Sequence, residues 1–475
     1  MTVLYYIMAN ELRKDALTFW GLVFFAVTFI FPAGPFAVTG VTAMFYSGEV
    51  APLAFLIGGL SLFLAVIAVY VFATHTYNAG GYYKYVEVST GNRYLSKSVG
   101  FYYLFWVIGD MIAASMVVAW LLWAALGSFS GYNLPIVAAV LVSLVTPVIY
   151  LFVGYYSITV SQKSAIIMGL FEILFFVGLS IAILVRSPYN GVQYFNISNS
   201  LDGLHGFFLA MVVGAFLAYG GYGAIVTLGE EARMPLKTLR KAIVVALAIM
   251  VAYDTFVVYA NVAGLGPNLN TGMQFFAPGL YMTQAYYGTA LAVAAFVVVE
   301  VSQLMSPVLF GNSGSRALFA LARDGVFPSV LTKIHPKHKT PYISVIVVFI
   351  TVVAGILLTL LPMVYLFGVG DGLFDAFVIW AIAITVFTLI YHVIVNQALI
   401  LLTKKLGITK ILTHFVAPTI ASVLMVVAIY YSLLGLTWPL SIAYYMIPAW
   451  IVIAVAVTFV RRNKLKMDRI EDTRA

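Results

Sequence analysis

Twelve apolar runs, each about 20 residues or longer, decide what this chain can fold into. They fall near residues 18–46, 51–74, 98–127, 134–154, 162–186, 205–229, 241–263, 284–311, 342–362, 372–402, 412–436 and 439–460. A run of this length crosses the hydrocarbon core as a helix, and none shows the strict alternation of a barrel strand. Of the 475 residues, 63% are hydrophobic and only 9% are charged, where a soluble domain carries roughly a quarter. Lipid is therefore the solvent for most of the chain, and backbone groups in lipid must pair among themselves. The fold expected is all-α integral membrane, with twelve transmembrane helices. The first run is too long for a signal-peptide core and no convincing cleavage site follows, so it is expected to stay in the mature protein. The absence of cysteine excludes disulfides and thiolate metal sites.

The basic residues test the count. They fall at 13–14, 84–97, 163, 233–241, 316–339, 404–410 and 461–474, which are alternate connections plus the two ends. Of the 25 lysines and arginines, 24 share one side and only Arg186 falls on the other. Positive charge is retained on the cytoplasmic side during insertion, so both termini are expected there, in a multi-pass protein of the cell membrane. A missed or invented helix would scramble this segregation from that point on. The net charge of +8 then faces anionic headgroups, and no nucleic-acid partner is expected.

Two runs carry helix-breaking residues near their middles. The first contains Phe31-Pro32-Ala33-Gly34-Pro35-Phe36, where two prolines remove backbone donors and a glycine tolerates non-helical angles. The sixth contains Tyr219-Gly220-Gly221-Tyr222-Gly223. Glycines in membrane helices also serve close helix packing, which is the plainer account of either site alone. Breaks at corresponding places in helices one and six are what an inverted five-plus-five repeat produces. The divisions expected are a cytoplasmic N-terminus over 1–17 and a ten-helix core over 18–402, with repeats near 18–186 and 205–402. Two further helices over 412–460 and a cytoplasmic tail over 461–475 complete the chain. A broken helix leaves amides and carbonyls unpaired at the midplane, where they are tolerated only if they line a cavity. Half-helix N-termini suit an anion and half-helix C-termini suit a cation, so a zwitterion satisfies both. The expected substrate site uses the amides of Ala33, Gly34 and Phe36 for a carboxylate. The carbonyls around Phe31 and from Phe216 to Tyr219 would take the amino group. Gly220 and Gly221 belong to the second break, and the rings of Phe36, Phe216, Tyr219 and Tyr222 flank the two.

Three further segments give the chain a family likeness. After the second run stands Ala79-Gly80-Gly81-Tyr82-Tyr83-Lys84-Tyr85, with Gly91 beyond. After the sixth stands Glu230-Glu231-Ala232-Arg233-Met234-Pro235-Leu236-Lys237, then Ala242-Ile243. After the eighth stands Arg316-Ala317-Leu318-Phe319-Ala320-Leu321-Ala322-Arg323-Asp324-Gly325, with Pro328 and Thr340-Pro341 beyond. In this order the segments resemble those of the amino acid-polyamine-organocation (APC) superfamily of transporters. The resemblance implies a secondary transporter, symporter or exchanger, for amino acids or related amines, built on an inverted repeat with discontinuous helices 1 and 6. The family's usual glycine-rich break appears here as Pro32-Ala33-Gly34-Pro35-Phe36. Some proton-coupled relatives place a lysine inside helix five; here Lys163 stands at the entrance to that helix and Glu172 lies further in.

Asp110, Glu172, Asp254, Glu300 and Asp375 lie within or near predicted spans, with no lysine or arginine inside those spans to pair with them. A charge at the bilayer centre costs about 2.5–3.5 kcal/mol or more on insertion scales. Asp110 and Glu172 lie deepest and are the candidates for coupling transport to a proton; a carboxyl facing headgroups or a water-filled vestibule is the plainer alternative. Ser302 and Ser306, four apart on one face of the eighth helix, match the hydroxyls that help hold sodium in sodium-coupled relatives of this fold. Serine also bonds back to its own helix, so H+ is favoured over Na+ as the coupling ion. His392 reads as a packed core residue. No metal site and no cofactor are expected, and no zinc, Walker, nucleophile-elbow or kinase motif appears, so the chain is not expected to be an enzyme. The bilayer and a small amino acid or amine are the partners expected, with the protein as a monomer or homodimer. A membrane sensor that binds amino acid with little transport, or a sodium-coupled symporter of the same fold, is the alternative.

Overall fold

The computed structural model describes residues 12, 14–156, 158–270 and 277–467. Arg13, Arg469 and Arg474, and with them most of 1–17 and the end of the tail, lie outside the described residues. Among those described, the chain is helical apart from connections and one isolated bridge between Leu17 and Ala232, and twelve segments are long and apolar enough to cross a membrane.

The first crossing is built from three helical pieces, Phe19–Ile30, Gly34–Ala37 and Thr39–Ser47. A turn at Gly48, whose φ of 65° suits glycine, leads into the second span, Ala51–Phe72. Spans 3 to 6 are Arg93–Ser130, Ile136–Tyr156, Ile158–Arg186 and Gly203–Glu231. Spans 7 to 9 are Pro235–Leu265, Thr289–Arg323 and Tyr342–Phe367. Val369–Lys405, Ile411–Leu433 and Ala443–Val460 complete the twelve. A short helix, Tyr82–Thr90, follows span 2, and another, Pro278–Tyr287, precedes span 8.

Local chemistry sets several of these ends. Asn92 caps span 3 by accepting from the amides of Tyr94 and Leu95 at 3.0 and 3.1 Å, which satisfies donors a helix start leaves open. Pro235 opens span 7 at a position where its missing N–H costs nothing. Spans 3, 7, 8 and 10 begin or end well beyond their apolar cores, at Arg93, Pro235, Arg323 and Lys405. The extra turns carry charged residues that reach neighbouring elements: Lys97 pairs with Glu87, Arg323 with Glu230, and Lys405 Nζ donates to the Ser89 carbonyl.

Spans 6, 1, 3 and 10 are the enclosed ones, and spans 4 and 12 turn most of their surface outward. Leu358 and Val185, at 77% and 79% exposure, mark the outward apolar face. Span 7 packs on spans 2, 1 and 5, and span 3 packs on spans 8 and 10. The broken first span and the sixth therefore sit at the centre of the bundle, where a site can be walled on every side.

Candidate functional site

The break in the first span follows from its prolines. Pro32 disfavours helical angles at the residue before it, and Phe31 takes a left-handed conformation, φ 63° and ψ 83°. Such an arrangement costs a non-glycine residue about 1–3 kcal/mol and persists only where surrounding structure enforces it. The helix ends with the Phe31 amide on the Thr28 carbonyl (3.2 Å), and the Gly34 amide closes on the Phe31 carbonyl (2.8 Å). After one turn, Val38 interrupts again at φ −132° and ψ −77°, and Thr39 starts the outer helix. Span 7 clasps this stretch. The Tyr253 hydroxyl donates to the Pro32 carbonyl at 2.6 Å, and Asn261 Nδ2 donates to the Pro35 and Phe36 carbonyls at 3.1 and 3.2 Å.

The sixth span corrects the sequence reading. Tyr219–Gly223 is not an unwound gap: the helix changes gauge instead. A π-helical stretch, Met211–Phe216, passes through Leu217–Tyr219 into a tight 3₁₀ helix over Gly220–Glu231. Runs of 3₁₀ beyond three or four residues are uncommon. The glycines serve packing. A Cβ on Gly221 would stand 2.5 Å from the Phe29 carbonyl carbon and 2.6 Å from the Ile30 nitrogen and Phe29 oxygen, so the backbones of spans 1 and 6 touch there. On Gly223 it would meet the Tyr82 hydroxyl at 2.3 Å; on Gly220 the nearest atoms are 3.6 Å away.

Beside this contact lies a cavity of about 40 Å³, room for roughly one water molecule. Phe31, Val38 and Thr39 of span 1 line it, with Asp110 and Val117 of span 3. Leu217 and Ala218 come from span 6, Gln303 and Ser306 from span 8, and Phe377 from span 10. Of the expected substrate residues, only Phe31 reaches it. The Gly34 amide is taken by Phe31, and Ala33 is buried behind it. The Phe36 ring packs on Phe176, centroids 4.9 Å apart. Phe216 is buried in the π-helical turn. Tyr219 turns toward span 2 and meets Phe55 edge-on at 5.8 Å. The Tyr222 hydroxyl lies 2.7 Å from His392 Nε2. Gly220 and Gly221 contribute close packing.

The coupling candidates are better gathered. Asp110 and Ser306 line the cavity, and Ser306 also donates to the Phe29 carbonyl at 3.4 Å. Ser302 donates to Glu172 Oε2 at 2.7 Å, while Oε1 of Glu172 is buried without a partner among the described residues. Thr39, Gln303, Tyr253 and Asn261 escaped the sequence reading. Gln303 could have been found, being a lone amide one turn from Ser306 in an apolar run. Among the described residues the Thr39 hydroxyl and Gln303 Oε1 have no partner, although Gln303 Nε2 bonds the Ala114 carbonyl at 2.7 Å.

Toward the basic end, an aromatic layer and an ionic clamp close the bundle. His392 donates from Nδ1 to the Thr388 carbonyl at 2.8 Å and faces the hydroxyls of Tyr222 and Tyr82 with Nε2; it is packed, as expected. Beyond it the three family-like segments meet. Arg316 pairs with Glu231 through two nitrogens, with both side chains 1% exposed. Arg323 pairs with Glu230 at 2.7 Å and reaches Asn78 at 2.9 Å. The Ala79 amide donates to Glu230 at 2.9 Å. Lys84, at 2.6 Å, and Lys97 both hold Asp324, and each also pairs with Glu87. Burial works against the charge of Asp324, but the ammoniums of Lys97 and Lys84 outweigh it and hold the carboxyl below its ordinary value.

A family model described as amino acid permease matches residues 21–470. The branched-chain amino acid permease of Bacillus subtilis is 26% identical, over 78% of this chain and 81% of its own length. The methylthioribose transporter of the same organism is 25% identical, over 94% and 93%. Cationic amino acid transporter 5 of Arabidopsis thaliana is 24% identical, over 69% of this chain and 57% of its own.

Proposed function

The chain belongs to the amino acid permease family, and from that premise we propose that it moves an amino acid or related amine across the cell membrane as a secondary transporter by alternating access. The observation that carries this reading is the cavity beside the contact of spans 1 and 6, with the Asp110 carboxyl and the partnerless Thr39 hydroxyl among apolar walls. Asp110 takes the substrate ammonium, and the Thr39 hydroxyl takes the carboxylate. The relatives' names range over branched-chain amino acids, a methylthioribose and cationic amino acids, and the apolar walls favour a substrate with an apolar side chain. At about 40 Å³ the cavity must widen before such a molecule enters, so binding and conformational change are one event.

The aromatic layer and ionic clamp shut the basic end, which is the cytoplasmic end in this reading, with both termini there. The ten helices over 18–402 form the inverted-repeat core, and 412–460 flanks it in a monomer or homodimer. A proton is the favoured coupling ion. Ser302 hydrogen-bonds the Glu172 carboxyl, which supports a proton-exchanging carboxyl at this place.

Uptake of a radiolabelled amino acid panel into proteoliposomes, with pH and sodium varied separately, tests the reading. An inward proton gradient should drive accumulation without sodium, and a protonophore should abolish it. Asp110→Asn removes a charge-assisted hydrogen bond worth about 1.5–3 kcal/mol, so substrate affinity should fall about 10- to 150-fold. Absence of accumulation or exchange of any amino acid or amine defeats the proposal, and binding without flux would mark a sensor instead.

A further inference from the structure

Span 7 holds a carboxyl that the proposed site does not use. Asp254 is 0% exposed, and among the described residues neither of its oxygens has a hydrogen-bond partner. It lies about 20 Å along the helix from Lys241 and about 16 Å from Leu265, at 1.5 Å per residue, which places it well inside the bilayer. Buried polar groups are almost always paired, and an exception asks for an explanation. A bare carboxylate in this position, with no cation beside it, is strongly disfavoured, so the enclosed group is the uncharged acid.

Its surroundings carry little charge. The pieces of span 1, span 2 over Ala51–Phe72 and the helix Pro278–Tyr287 contain no Asp, Glu, Lys or Arg. The titratable groups that feel Asp254 are the hydroxyls of Tyr219 on span 6 and Tyr253 on its own helix, and Glu172 on span 5 acts on the same Tyr253. The Tyr219 hydroxyl is likewise buried, beside the Thr255 hydroxyl of span 7. The neighbouring residue, Tyr253, grips the Pro32 carbonyl, and Asn261, two turns further along, grips those of Pro35 and Phe36. Asp254 therefore sits on the face of span 7 that holds the break in span 1.

We propose that Asp254 is a proton-binding site of the transport cycle, loaded while span 7 grips the broken first span and emptied when that grip is released. This rests on the proton-coupled reading of the preceding section. The carboxylate takes one proton from water on the side of higher proton concentration and is enclosed as the neutral acid. Separation of spans 1 and 7 then admits water, and the proton leaves to the opposite side as the carboxylate re-forms. One proton crosses per turnover, with no other reactant.

The test uses the full chain in proteoliposomes, the panel amino acid that it takes up fastest, and an internal pH dye. Asp254→Asn mimics the loaded acid. It should keep at least about half of the counterflow exchange while gradient-driven accumulation falls at least tenfold and lumenal acidification stops. Asp254→Glu should restore accumulation with a displaced pH profile. Accumulation by Asp254→Asn equal to that of the unaltered chain overturns the proposal. If Asp254→Asn fails to fold, as judged by thermal unfolding, Asp254→Glu decides: an unmoved pH profile overturns it, a moved one supports it. Transport by the unaltered chain without proton movement overturns both coupling and this site, while no transport at all defeats the transporter reading itself.

Discussion

Replacing Gly221 with alanine probes the contact on which the site depends. The added methyl would sit 2.5 Å from the Phe29 carbonyl carbon and 2.6 Å from two further backbone atoms of span 1, whereas non-bonded carbons settle at about 3.5–4.0 Å. Spans 1 and 6 would have to part by about 1 Å. The obstructing atoms are backbone, on a helix already clasped by Tyr253 and Asn261, so no side chain can swing aside. Overpacking of this kind costs about 1–3 kcal/mol, and the rigid neighbour places Gly221→Ala at the upper end. Gly220→Ala is the control: its methyl meets only Thr388 and Trp106, at 3.6 Å, an ordinary contact, so the change should be nearly neutral. Thermal unfolding in detergent and uptake in proteoliposomes should both show Gly221→Ala impaired and Gly220→Ala close to the unaltered chain. Equal behaviour of the two variants would refute the reasoning, because the asymmetry comes from the span 1 backbone alone.

Other perturbations follow from the ionic clamp. Arg316→Met leaves Glu231 buried and unpaired and should cost about 3–5 kcal/mol; Arg316→Met with Glu231→Gln should recover a substantial part, read as a double-mutant cycle of unfolding free energies. Asp324 is held below its ordinary value of 3.8, so its contribution is full above that value and is lost as pH falls through the lower folded one. Acid unfolding below about pH 4 should therefore be less steep in Asp324→Asn than in the unaltered chain, and identical acid limbs would contradict the assignment.

How much of this was legible in the sequence varied with the physics behind each feature. The twelve spans were, because burial in lipid demands long apolar runs whatever their neighbours are. The break at Pro32 was too, since a missing donor and a restricted preceding residue act locally. Gly220, Gly221 and Gly223 were not decisive: glycine serves an unwound chain and a close approach equally well, and only the position of span 1 shows which applies. The directions of Tyr219, toward Phe55, and of Tyr222, toward His392, are set by neighbouring spans rather than by any local pattern. The pairing of Arg316 with Glu231, 85 residues apart, and the grip of Asn261 on the break are tertiary facts that no local pattern carries. Asp254 was visible as an acid in an apolar run, but its lack of partners was not.

Because the chain has no cysteine, one introduced thiol reports the cavity without background. Ala218→Cys and Ala113→Cys each place a thiol on its wall. In reconstituted protein a small membrane-impermeant thiol reagent should label either position, and the transported amino acid should slow that labelling in proportion to its occupancy. Labelling that the transported substrate leaves unchanged at both positions would contradict the placement of the transport site beside the contact of spans 1 and 6.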